Sequence, residues 1–515
     1  MQRARPHALP LICALLAGLP IVVMAIHWID VGWFPTGDRA DYSVKALDVF
    51  SSRSPLTGPW SAGATIAAGE TVYSPGPLLF WAMALPLRLP WPSAVQVAMG
   101  LVNLASLAGV MILARRRGGD LLMIATAVAF AVMLRSLPPE VYADVWNSSA
   151  PLVPFVLLVF LCWSLACGEA RLLPLTVLVA SFVVQTHLTF LAATLGVVAV
   201  GVAGLLVARP RPPLRRPLLW TAAAALVCWI APLVEQLVHR PGNFVLIVRS
   251  ATSSTETLGR LSGVKGVVHT VGVPPWWLQA PRNALQRLID VNAKPSLLAS
   301  VTTILVVLGL AAAIVVGLRR HRPALWAAGA IGLVICLAVA VDVSSTPRAA
   351  ALTTQYTLRW AAPAGMCVWL LLGWCVVSML PVPAVLPRAA VALGVALVAA
   401  AGIAVTASRE LPDERYRASH ELTDTVVDAL PARGTTRLQA SGLEAATSRS
   451  ALSYALRRAD RPLVVPGAGR ELGADYGRGA WVRTLWVGPN AKGRPVAQAV
   501  VGSPPSPVVV SVTRP

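Results

Sequence analysis

Charge is scarce in this chain. Only 13% of its 515 residues are charged, 56% are hydrophobic, and the mean hydropathy is +0.67. A soluble protein of this length exposes too much surface to be so apolar, so a bilayer must supply part of its solvent. Acidic residues are the scarcer kind: 23 Asp and Glu stand against 43 Lys and Arg, a formal charge of +20. In a soluble protein that imbalance would point to nucleic acid. Here arginine in cytoplasmic loops explains it more simply, and nucleic acid is not an expected partner. The seven cysteines all lie in apolar stretches, none lies in the long C-terminal tail, and no pair has metal-ligand spacing. They read as small buried hydrophobes, with no disulfide framework. There is no Walker motif, dinucleotide fingerprint, His/Cys cluster or internal repeat, so no metal ligands and no cofactor are expected. Whether a divalent metal takes part stays open. Lysine and asparagine are few beside Ala, Val, Arg and Pro, a composition typical of GC-rich bacterial genomes.

What is present is a series of long apolar runs, near 8–27, 95–114, 120–135, 150–167, 172–187, 189–207, 218–237, 298–318, 324–341, 359–380 and 387–407. The first follows Arg3 and Arg5 as a signal peptide would. It lacks a small-x-small cleavage site and reads as an uncleaved membrane helix. Segment 77–89 is also largely apolar, and the arginines decide its status. If it does not span and the N-terminus is cytoplasmic, the arginine clusters at 115–117, 209–216 and 319–322 all fall on the cytoplasmic side. That count gives about eleven transmembrane helices and an external C-terminus, in the cytoplasmic (plasma) membrane of a bacterium. The expected organisation is a transmembrane domain over 1–407, with external loops 28–94 and 238–297, and a small external α/β domain over 408–515. Within the latter, helices are expected at 422–430 and 446–458, and strands at 436–440, 463–465, 482–487, 497–501 and 508–512.

This topology collects the polar residues outside. Gly37-Asp38-Arg39-Ala40-Asp41-Tyr42 follows the first helix so closely that Asp38 and Asp41 must stay near the membrane. Segment 40–50 has helical character, placing Asp41, Lys45 and Asp48 on one side. Asp38 reads either as the N-cap of that helix or as a carboxylate able to deprotonate a hydroxyl at the bilayer surface, and Asp41 and Asp48 as ion-pair partners or functional acids. Tyr73 and Ser74, in Tyr73-Ser74-Pro75-Gly76-Pro77-Leu78, are candidate substrate contacts. Arg249 is one external cation able to meet an anionic group, and four others are His187, His239, Arg240 and Arg359. Each of the others has a plainer reading: a bundle histidine for His187, headgroup anchors for His239 and Arg240, snorkelling for Arg359. Glu235 suits an ion pair, and Trp276-Trp277 an interfacial belt. Asn147-Ser148-Ser149 matches a glycosylation pattern and carries little weight in a bacterial chain.

Asp38 before a membrane-hugging helix, then Ser54-Pro55-Leu56-Thr57-Gly58-Pro59-Trp60-Ser61 and Ser74-Pro75-Gly76-Pro77-Leu78-Leu79-Phe80-Trp81, resembles the GT-C superfamily of membrane glycosyltransferases. The similar branch contains protein O-mannosyltransferases and aminoarabinose transferases. The resemblance implies an inverting transferase that moves a sugar from a polyprenyl-phosphate donor to a glycan, lipid or protein acceptor outside the cytoplasmic membrane. It implies Asp38 as general base, with Asp41 second. The branch often has Asp-Glu where this chain has Asp38-Arg39, and His or Lys where it has Ser74. Two readings of other classes stand beside it. A transporter or flippase requires polar residues midway along helices and paired broken helices; an envelope scaffold requires only a partner surface on the C-terminal domain.

Overall fold

The computed structural model describes residues 8–210, 212–281, 283–380, 387–408, 414–489, 491–501 and 506–513. Arg3 and Arg5 lie outside the described residues. Among those described, seven helices are long and apolar enough to cross a membrane. The first run forms an eighth candidate as a bent pair, Ala8–Ala17 and Leu19–Asp30, with 60° between the halves. Gly18 makes the bend: a Cβ there would lie 2.6 Å from Leu104, so a bare backbone lets this helix close onto its neighbour. The protein is therefore a polytopic helical membrane protein.

Segment Ala94–Leu134 is helical on both sides of a kink, and at 41 residues it is about twice what one crossing of the hydrocarbon core needs. It is two helices joined end to end. Gly118 and Gly119 leave helical geometry, and Gly119 has φ 66°, a value glycine adopts without strain. The arginines just before the break are held by acids: Arg115 by Asp120 at 2.7 Å, Arg117 and Arg116 by Glu169. Gly118 packs against Trp374, Gly168 against Ala208, and Arg322 donates to the Ser378 carbonyl at 3.4 Å. These contacts gather the arginine-bearing turns at one end of the bundle. The shorter apolar helices Leu152–Ala166 and Ala170–Thr186 complete the set, so each expected run has a helical counterpart. Segment 77–89 forms only Leu78–Ala84 and a 3-10 turn, Pro86–Arg88. Those 11 residues reach about 17 Å, too short to span.

At the opposite end of the bundle the loops are themselves structured. The first carries helix Gly37–Leu47, and the second carries Asn243–Thr252, Gly259–Val271 and Ala284–Asn292. Asn243 ties the two loops together. Its amide accepts from Tyr73 N and donates to Tyr73 O, both at 3.0 Å, as a neighbouring strand would. Glu235 in turn accepts from the Asn243 backbone at 2.9 Å and lies 3.7 Å from His239, so its carboxylate has a structural task. Trp276 is not an interfacial anchor. It is 2% exposed, donates to Asp290 at 3.2 Å and stacks on His269.

The C-terminal segment forms a five-stranded mixed sheet: β1 (Thr436–Ala440), β2 (Leu463–Val464), β3 (Arg483–Gly488), β4 (Arg494–Val501) and β5 (Ser506–Thr513), in the order β2-β1-β3-β5-β4. β1 runs parallel to β2 and β3, and β5 antiparallel to β3 and β4. Helix Leu443–Arg458 packs one face on β1 and β3 and another on Gly37–Leu47. The pattern of small and apolar residues explains this double contact, with Ala451, Leu452, Tyr454 and Leu456 all buried.

Candidate functional site

A cavity of about 590 Å³ opens where the two loops meet the bundle. Helix Gly37–Leu47 contributes Asp38, Asp41 and Lys45 to its lining; Trp60, Trp146, His187, Asp342 and Glu471 also line it. Part of the lining is apolar. Leu195 and Val341 line it and are 61% and 44% exposed, on helices Leu191–Val207 and Pro323–Ser345. The cavity thus brings ionisable groups together with exposed apolar side chains of two helices long enough to cross a membrane.

Asp38 is in the first turn of its helix but is not the cap. Thr36 holds that position and makes no side-chain cap bond. The Asp38 carboxylate instead accepts from the Trp146 indole N–H at 3.0 Å. Trp146 lies between two guanidinium groups, Arg39 at 5.1 Å and Arg359 at 5.0 Å from the ring centre. Arg39 is fixed by two bonds of 2.7 and 2.6 Å to Asp144, which is 1% exposed; burial works to loosen its proton, but the charge and hydrogen bonds of Asp144, with Tyr416 and Glu140, together hold it more tightly than usual. Arg359 donates to Ser149 at 3.1 Å. The arginine after Asp38 therefore has a defined role, orienting the ring that holds the carboxylate.

Asp41, one turn on, is 4% exposed. Its Oδ2 accepts from Ser450 at 3.2 Å, and its Oδ1 is buried without a protein partner. Burial, then the charge of Asp38, pushes its pKa up to about 7, against the Ser450 bond. Lys45 is 7% exposed, and burial pulls its pKa down to about 8 although Asp41, Glu471 and Asp48 oppose this. Its ammonium lies over the Tyr73 ring at 5.0 Å and the Phe80 ring at 5.7 Å. The same-side alignment of Asp41, Lys45 and Asp48 is thus not an ion-pair ladder. Asp48 pairs with Arg457 at 2.9 Å and accepts from the Tyr476 hydroxyl at 2.8 Å, so its partners come from the C-terminal segment.

The remaining candidates divide. Ser74 lines the cavity, its backbone N–H bonded to Pro59 O at 2.8 Å. His187 also lines it, with Nδ1 bonded to Thr189. Tyr73 stands behind the wall as the aromatic partner of Lys45, and Arg359 stands behind Trp146. His239 and Arg240 do not line the cavity; both are exposed at the end of Arg215–Val238. Asn147-Ser148-Ser149 is buried, with Asn147 in the cavity wall. Among the described residues no group of three His, Cys, Asp or Glu has the geometry to hold a metal ion. Sequence reasoning missed Glu471 and Asp342, which lack a motif, and took Lys45 only as an ion-pair partner. The clue to Trp146 was its place in the polar run 140–147.

No protein-family model matches the chain, and no curated protein matches it. Among solved structures the chain is similar to ArnT from Cupriavidus metallidurans, crystallised with undecaprenyl phosphate. The two share 14% sequence identity over 95% of this chain and 97% of the other, with a TM-score of 0.48.

Proposed function

We propose that this protein is an inverting glycosyltransferase that moves a sugar from a polyprenyl-phosphate donor to a cell-envelope acceptor, on the outer face of the cytoplasmic membrane. The observation that carries the reading is a cavity lined both by Asp38, Asp41 and Lys45 and by Leu195 and Val341, exposed apolar residues of two membrane-length helices. A donor with an isoprenoid tail and a phosphate-linked sugar combines the same two kinds of surface. The acceptor hydroxyl attacks the anomeric carbon as the bond to phosphate oxygen breaks, Asp38 takes the hydroxyl proton, and Lys45 receives the phosphate charge. Asp41 forms a carboxylate pair with Asp38 and competes with it for the proton. The arginine-bearing turns at the far end of the bundle support an outward-facing site, through the positive-inside bias. In this reading residues 1–407 form the catalytic unit, and residues 408–515 form a second unit seated on it.

The test is turnover of a panel of undecaprenyl-phosphate sugars by the purified protein in nanodiscs, read as released undecaprenyl phosphate. Asp38→Asn is expected to lower turnover by about 10²–10⁴-fold. Wild-type turnover by a correctly folded Asp38→Asn variant would remove Asp38 from the role.

A further inference from the structure

We infer that Glu471, carried into the cavity by the C-terminal segment, recognises the sugar of the donor by accepting hydrogen bonds from its hydroxyl groups. The inference rests on the reading above and extends it to a residue far from the loop that holds Asp38.

Glu471 follows β2, on a stretch anchored at both ends. Before it, the Arg470 guanidinium lies 6.0 Å from the Trp60 ring centre. After it, Leu472 is 5% exposed, and the Tyr476 hydroxyl is bonded to Asp48 at 2.8 Å. The backbone is thereby held against the first loop, and the carboxylate lines the cavity. Its Oε2 is buried and has no protein hydrogen-bond partner, and its charge acts on Lys45 in the same cavity. A buried acceptor without a donor is costly, and one in a cavity wall is set for a donor that arrives with a ligand.

A second acceptor shares this state. Asp41 Oδ1 is also buried and unpartnered, on a side chain 4% exposed that lines the same cavity. Two unsatisfied carboxylate oxygens, one from each end of the chain, border a space also walled by Trp60 and Trp146. Carboxylates that accept from hydroxyls, beside flat aromatic faces, match a sugar ring.

The experiment measures binding to the full-length protein in nanodiscs. The probes are undecaprenyl phosphate and its glucose, mannose, galactose and arabinose conjugates. Wild type is expected to bind at least one conjugate more tightly than the bare phosphate. Glu471→Ala is expected to erase that margin, a loss of about tenfold or more, without weakening the bare phosphate. Glu471→Gln keeps the shape and one acceptor oxygen and should retain part of the margin, which separates recognition from a folding defect. A margin that survives in both variants, or is absent from wild type while the bare phosphate binds, overturns the role of Glu471 alone. Failure of wild type to bind undecaprenyl phosphate overturns the transferase reading and this inference with it.

Discussion

Replacing Arg457 with alanine strands Asp48. That carboxylate is 2% exposed and has two partners from the C-terminal segment, the Arg457 guanidinium at 2.9 Å and the Tyr476 hydroxyl at 2.8 Å. Breaking a fully buried pair from one side costs about 3–5 kcal/mol, because the remaining charge loses its compensation. The Arg457 side chain is 20% exposed and Tyr476 stays in place, so about 2 kcal/mol is the reasonable figure here. The loss falls on the junction between helices Leu443–Arg458 and Gly37–Leu47. Amide hydrogen exchange of Leu443–Arg458, in detergent or nanodiscs, reads it directly. An opening equilibrium shifted by that amount accelerates exchange roughly thirtyfold. The double variant Asp48→Leu with Arg457→Met removes both charges and should lose less than Arg457→Ala alone. Unchanged exchange in Arg457→Ala, or a double variant worse than the single, would refute the claim that this pair fastens the C-terminal segment to the site.

Other outcomes follow from the same geometry. Donor turnover should rise with pH through about 7, since Asp41, protonated below that value, adds its negative charge beside the site of proton uptake only above it. Ser450→Ala removes a donor that favours the ionised form, so the midpoint should move to higher pH, and Ser450→Thr should restore it. The same raised pKa means that Asp41 favours the fold while protonated and burdens it once ionised. Asp41→Asn should therefore gain thermal stability over wild type as pH climbs from about 4 to 7, with a constant gain above, measured as a melting shift. Lys45→Met should weaken undecaprenyl phosphate binding about tenfold or more, and wild-type binding should decline above pH 8 as Lys45 loses its proton. Gly76→Ala should cost about 1–3 kcal/mol in a thermal denaturation series, because its Cβ would lie 2.6 Å from Gln185 Cδ and Pro232 Cγ.

Much of this protein is legible from local pattern. Bilayer solvation demands long apolar runs with paired backbone groups, and each run from 8–27 to 387–407 has its helix. The C-terminal strands are also legible: short β-branched and apolar runs at 482–487 and 508–512, and the stretch 436–440, fall on β3, β5 and β1. The failures are equally physical. The break between the expected runs 95–114 and 120–135 falls at Gly118 and Gly119, but the pattern gave no sign that the chain turns there without a loop. Helix Glu414–Ala429 began earlier than the expected 422–430, since its first turns are polar and carry no apolar signal.

At the site, sequence determined that Asp38 and Asp41 stay near the membrane, because the first helix allows the chain no distance to travel. Tertiary structure decided what those carboxylates touch. Trp146 reaches Asp38 across 108 positions, and Ser450 reaches Asp41 across 409. No periodicity records such contacts, which depend on how a helix from the C-terminal segment docks on the first loop. The same docking decides that Lys45 meets aromatic rings instead of Asp48, and that Glu471 enters the cavity. Solvation sets where each segment can be; packing sets which charges meet, and the chemistry of the site depends on the second.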